Sequence, residues 1–168
     1  WSFSHLDQIN EAQLERMKKL GMSAQIHSRP LIQGALMHKV HGEKAWEMPP
    51  FRRVQDSGIL WGLGSDATAV TTSNPFYTLG FAVTGKMLGG ARVNRQTITR
   101  EEALIAHTRS NAYIVFQEGN LGSLVPGKYA DLLVLNRDYL TVPADSIKDL
   151  KPVITIVGGR IVYEAKKL

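Results

Sequence analysis

The stretch ILWGLGSDATAV, residues 59–70, decides how the chain is read. An apolar run ends in Gly-Ser, and a lone carboxylate, Asp66, stands just past it. Nearly continuous apolar character marks a strand covered on both faces, as in a parallel sheet. Upstream, WSFSHL (1–6) reads as a strand end. Asn10 with Gln13 has capping-box spacing ahead of EAQLERMKKLG. There Leu14, Met17 and Leu20 fall on one stripe, cations gather in the last turn, and Gly21 suits the position after the helix. MSAQIHS (22–28) is the next short apolar piece, closed by Pro30. Residues 29–50 read as irregular, and PPFRRVQDSG (49–58) as a short helix after the prolines. Downstream, Asn74 with Pro75 opens one helix. Thr99 with Glu102 forms a second capping box, which predicts a helix over 99–116. Strand, connection and helix thus repeat, the pattern of parallel strands with crossovers. The fold class is α/β, either part of an α/β barrel or an open sheet.

After Gly119 the texture changes. GSLVPGKYADLLVL (122–135) and PVITIVGGRIVYEA (152–165) are β-rich with turn signals at PGK and GG, which predicts antiparallel strands and a hairpin turning at Gly158-Gly159. The expected division is 1–118 and 119–168. A closed eight-stranded barrel takes about 250 residues, so if this is a barrel, much of it is missing.

Composition narrows the classes. An apolar fraction of 43% in 168 residues suits one folded unit. No apolar run approaches the roughly 18 residues of a membrane helix, and no secretory pattern opens the chain, so a soluble cytoplasmic protein without a membrane partner is expected. The first residue is Trp1, and upstream sequence is expected to be missing. The absence of cysteine removes disulfides and thiolate metal sites. The net charge of +5 is spread along the chain, and the tryptophans do not cluster with the cations. A nucleic-acid surface is therefore not expected.

In parallel α/β sheets, chemistry sits at the C-terminal ends of the strands. Three residues stand at such ends: His5 after WSFS, His27 after SAQI, and Asp66 after ILWGLGS. Two imidazoles and a carboxylate from different strand ends can converge on one point, and both groups ligate zinc and related ions. A bound metal acidifies its water, and a nearby carboxylate can take the proton. The bland alternatives are a turn or cap role for Asp66 and a packing or backbone-bonding role for His27. His38 and His41, in HKVH, are expected in solvent. His107 is expected to be a satisfied core histidine, and Lys128 and Asp131 to be turn and strand-edge residues. GLGSDA lacks the elements of a phosphate loop.

Five pieces in order carry a resemblance: SHLDQINEAQLERMKKLGMSAQIHS, DSGILWGLGSDATAV…NPFYTLGFAVTG, ITREEALIAHTRSNAY, LGSLVPGKYADLLVLNRDYLTVP and ITIVGGRIVYE. The chain resembles the C-terminal part of the amidohydrolase superfamily, in particular the amidohydrolase-3 group of metal-dependent hydrolases. The resemblance implies the last strands of a (β/α)8 TIM-type barrel, then strands of a small β-sandwich. It implies one or two divalent metals, zinc foremost. It assigns His5 to the histidine ending the sixth strand and Asp66 to the aspartate ending the eighth, a metal ligand and general base. His27 falls near the end of the seventh, on the substrate side. Where relatives commonly carry Glu before the sixth-strand histidine, this chain has Ser4. The His-x-His pair of the first strand, the bridging residue of the fourth and the histidine of the fifth are absent.

The function expected is metal-activated hydrolysis of C–N bonds in a small amide-like substrate by the full-length protein. This chain alone is expected to be inactive, and its partners are the missing N-terminal part and further copies in a homo-oligomer. The alternative is a non-catalytic or chain-complemented binding module.

Overall fold

The computed structural model describes residues 1–166. Its elements run β1 (Ser2–Ser4), α1 (Glu11–Lys19), β2 (Ser23–His27), α2 (Pro30–His41), α3 (Phe51–Ser57), β3 (Trp61–Gly64), α4 (Pro75–Thr84), α5 (Arg100–His107), α6 (Arg109–Ile114), β4 (Leu132–Leu135), β5 (Pro152–Val157) and β6 (Arg160–Glu164). The strands form two sheets of three, ordered β1-β2-β3 and β4-β5-β6.

The first sheet is parallel, as the strand–helix alternation predicts. Phe3 pairs with Ala24 and Ala24 with Trp61, while Ser4 pairs with Gln25 and Gln25 with Gly62. Side chains alternate between faces along a strand, so this register sorts them. One face carries Phe3, Ala24, Ile26, Trp61 and Leu63, and the other carries Ser4, Gln25, His27, Gly62 and Gly64. The apolar face meets the helices: Leu14, Met17, Phe51, Val54, Phe76, Leu79, Ala103 and Ala106 share one buried cluster with Ile26, Trp61 and Leu63. Each fully buried large side chain contributes about 1.5–3 kcal/mol. The face with small and polar residues is left for chemistry.

The caps form as their spacing predicts. Asn10 and Gln13 exchange side-chain and backbone bonds at the start of α1, Asn74 accepts the Phe76 N–H at α4, and Thr99 and Glu102 close a capping box at α5. Gly21 has φ 62 after α1. Leu20, expected on the buried stripe, is instead 68% exposed, since the helix ends one residue before it.

Residues 29–50, expected to be irregular, contain the longest helix in the described chain, α2, with proline in its first turn. Its apolar residues point both ways: Leu31 and Met37 are buried, Ile32, Leu36 and Val40 exposed. No single stripe marks it in the sequence. Gly34 looks like a helix breaker but is a packing site, because a Cβ there would collide with the Val93 side chain. The helix expected over 99–116 breaks at Thr108 (φ −124, ψ −79), whose hydroxyl donates back to the Leu104 carbonyl.

The second sheet is antiparallel. β5 and β6 form the expected hairpin, with Gly158 and Gly159 both at positive φ, as a type I′ turn requires. Asp131 accepts the Gly158 N–H at 2.6 Å. The link between β4 and β5 returns to the first core. Tyr139, Val142, Ile147 and Leu150 are buried in it, with Ile147 and Leu150 at 0% and 1% exposure. The Arg100 guanidinium donates to the carbonyls of Tyr139 and Val142, and the Tyr139 hydroxyl donates to the Arg100 carbonyl. Lys86 pairs with Asp145 at 2.7 Å.

Candidate metal centre

The three strand-end residues expected from the sequence come together. His5 directly follows β1, His27 is the last residue of β2, and Asp66 lies just past β3. Each offers one donor atom, and these atoms all lie within 4.8 Å of one another. His5 Nε2 is 3.6 Å from Asp66 Oδ2. Two donors at about 2.1 Å from a tetrahedral zinc stand about 3.4 Å apart, so this pair has the separation one ion requires. The His5 and His27 rings meet edge-on with centroids 4.9 Å apart.

His5 and Asp66 are both in the left-handed region, with φ 58 and 53. Such backbone is uncommon outside glycine and collects at functional sites, where the surrounding structure holds it. Around Asp66 the hold is local. The Ala67 N–H donates to the Ser65 hydroxyl, and the Val70 N–H to the Asp66 carbonyl. The three residues line an open cavity of about 220 Å³ on the small-residue face of the sheet, together with Gln25, Gly64 and Asn111.

His27 differs from the other two. It is 4% exposed, and burial holds its pKa below the ordinary imidazole value, against the opposing pull of Asp7. Its Nδ1 accepts the Arg29 N–H, and its Nε2 is buried without a partner. Asp7, which the sequence reading passed over, lies nearby with one buried carboxylate oxygen unpartnered and the other 3.6 Å from Arg29 Nε. Its only signal in the sequence is an acid two residues after His5. Asn111 was also missed. It reaches from α6 to donate to the Leu63 carbonyl at 3.0 Å, a contact between distant parts of the chain that no local pattern announces.

The other histidines stay outside. His38, expected in solvent, bonds the Val93 carbonyl through Nε2 at 2.9 Å and packs edge-on against Trp46, while His41 is exposed. His107, expected to be satisfied, has its Nε2 buried without a partner, and burial lowers its pKa. Lys128 donates to the Leu121 carbonyl.

Residues 2–163 match the amidohydrolase family. The chain belongs to that family. Among its relatives, this amidohydrolase is 32% identical over 116 residues to the N-substituted formamide deformylase of Arthrobacter pascens, covering 68% of this chain and 21% of that enzyme. Among solved structures it is similar to Escherichia coli guanine deaminase, with a TM-score of 0.70, 22% identity, and coverage of 98% of this chain and 39% of that one. It is similar too to the atrazine chlorohydrolase TrzN of Arthrobacter aurescens complexed with zinc, with a TM-score of 0.67 and 20% identity over 97% of this chain and 36% of that one. The amidohydrolase chain thus spans about a fifth of the length of the deformylase. Among the described residues no helix is long and apolar enough to cross a membrane.

Proposed function

We propose that this amidohydrolase chain carries the C-terminal part of a catalytic site that hydrolyses a carbon–nitrogen bond in a small amide-like substrate. The observation that carries the reading is the convergence of His5, His27 and Asp66 from three successive strand ends, with donor atoms within 4.8 Å. His5 Nε2 and an Asp66 oxygen would hold a divalent cation, zinc by preference for this nitrogen and oxygen set. When bound, the ion supplies an acidified water and a polarised acyl oxygen. Asp66 takes the proton from the attacking water and passes it to the departing nitrogen, which leaves as a neutral amine or ammonia. His27 lies on the substrate side. Two donors fall short of the three or more protein ligands such a site uses. In this reading the others, and the barrel strands that would join β1 and β3, come from sequence outside this chain. Residues 1–118 then belong to the barrel and β4, β5 and β6 to the small sandwich, whereas Tyr139, Val142, Ile147 and Leu150, inside the segment 119–168 expected to be sandwich, pack in the barrel core instead. The relatives' greater length supports that reading.

The test is Asp66→Asn in the full-length protein, with metal content measured beside turnover of formanilide, simple amides and dipeptides. The variant should keep its fold and lose about 10²–10⁴-fold in kcat. Near-normal kcat at full metal occupancy would remove Asp66 from the mechanism. Zinc binding with no turnover of any amide would favour a binding module.

A further inference from the structure

His27 is the member of the cluster whose chemistry is most constrained. A neutral imidazole has one N–H and one lone pair. The Arg29 N–H points at Nδ1 at 3.3 Å, so Nδ1 must offer the lone pair, and the proton sits on Nε2. Turning the ring over would set a C–H against that N–H and lose the bond. Histidines that ligate metals are oriented the other way, with the second nitrogen donating to a carbonyl or carboxylate. A protonated Nε2 has no lone pair for a cation. Yet this N–H is buried and has no acceptor, in a side chain only 4% exposed that lines the cavity of His5 and Asp66. A buried donor left unpaired forfeits its hydration without compensation. Such a cost persists where an absent molecule supplies the acceptor. The His5 ring lies beside the His27 ring, with centroids 4.9 Å apart and planes 74° apart, and the His5 side chain is 57% exposed.

We infer that His27 is not a third metal ligand but a hydrogen-bond donor, through Nε2–H, to the acyl oxygen of the substrate. This rests on the hydrolytic reading above and deepens it. The site then selects substrates that present an oxygen acceptor at the reacting carbon, the amide and formamide class. An amidine or imine carbon, which presents a nitrogen, would be held less well. The donor would tighten on that oxygen as negative charge builds there, which makes it worth more in the transition state than in the bound substrate.

The tautomer is read by nitrogen-15 NMR of the histidine rings in the zinc-loaded protein. Nδ1 of His27 should be unprotonated and Nε2 protonated, and formate, which carries the oxygen acceptor alone, should shift the Nε2–H signal. In parallel, His27→Phe should keep full zinc content and lower kcat/KM on formanilide by about 10²–10³-fold. His27→Gln, with an amide donor, should recover part of that loss. A protonated Nδ1, or a zinc content that falls in His27→Phe as it does in His5→Ala, would overturn the inference in favour of ligation. So would a formate addition that leaves the signal unmoved, or an unchanged kcat/KM in His27→Phe. If neither formanilide nor any of the simple amides and dipeptides is turned over, the hydrolytic reading has failed, while the tautomer, zinc content and formate shift still decide whether His27 is an acceptor-binding donor.

Discussion

The His5 imidazole and the Asp66 carboxylate approach to 3.6 Å from two residues that both hold left-handed backbone. For a residue with a Cβ that conformation costs about 1–2 kcal/mol, so the pair is bought with local strain. His5→Gly should therefore be more stable than His5→Ala, by about 1 kcal/mol in urea unfolding, although both lose the same imidazole. Zinc affinity should fall equally in the two. Equal stabilities would show that the backbone at His5 relaxes without the ring.

Gly62 faces Asn111 and Ile114 so closely that a Cβ would overlap the Asn111 amide. Gly62→Ala should cost about 1–3 kcal/mol, the usual range for overpacking. Asn111→Ala should cost about 1 kcal/mol through the lost bond to the Leu63 carbonyl. The double variant should be less unstable than the two losses added, because the smaller side chain makes room. Strict additivity in a double-mutant cycle would separate the two sites.

Arg52 grips Glu102 with two bonds of 2.9 Å, and this pairing is the main reason the Glu102 carboxyl titrates below its ordinary value. A depressed carboxyl stabilises the fold above its unfolded pKa, about 4.3, and loses that contribution as pH falls towards the folded value. Both side chains are partly exposed, so the contribution is about 1 kcal/mol. Glu102→Gln should lower stability by that amount at pH 7 and flatten its decline below pH 4.5. Unfolding free energies at pH 7 and pH 3.5 check this, and parallel curves for the two proteins would contradict it.

Burial holds the His107 pKa below the ordinary value and leaves its Nε2 unpartnered. The unfolded chain takes up a proton near pH 6.5 while the folded chain resists it, so stability falls as pH drops below that point. His107→Leu removes both the titration and the orphaned nitrogen. Its melting temperature should exceed that of the parent by more at pH 5.5 than at pH 8. A difference independent of pH would mean that His107 does not titrate differently on folding.

What the sequence disclosed follows the range of the forces involved. Asn10 with Gln13, Thr99 with Glu102, Asn74 with Pro75 and the Gly158-Gly159 turn act within four residues, and all are legible. His5, His27 and Asp66 were found because a strand's end is a place that can be counted to. The Asn111 bridge and the burial of the His27 Nε2 depend on neighbours far along the chain, and the left-handed backbone at His5 and Asp66 carries no glycine to announce it. α2 was hidden for a different reason: Ile32, Leu36 and Val40 leave its solvent side as apolar as its core side.

The return of Tyr139–Leu150 to the first core bears on how the protein is made. Domains tend to fold from the N-terminus as the ribosome delivers them. Here a nascent chain that has emerged as far as α6 already holds every strand and helix of the parallel sheet, yet the surface of α4 that receives Ile147 and Leu150 is still bare. That surface stays open until the residues up to Leu150 have cleared the exit tunnel. During the interval of translation between α6 and Leu150, that apolar surface is open to chaperones and proteases.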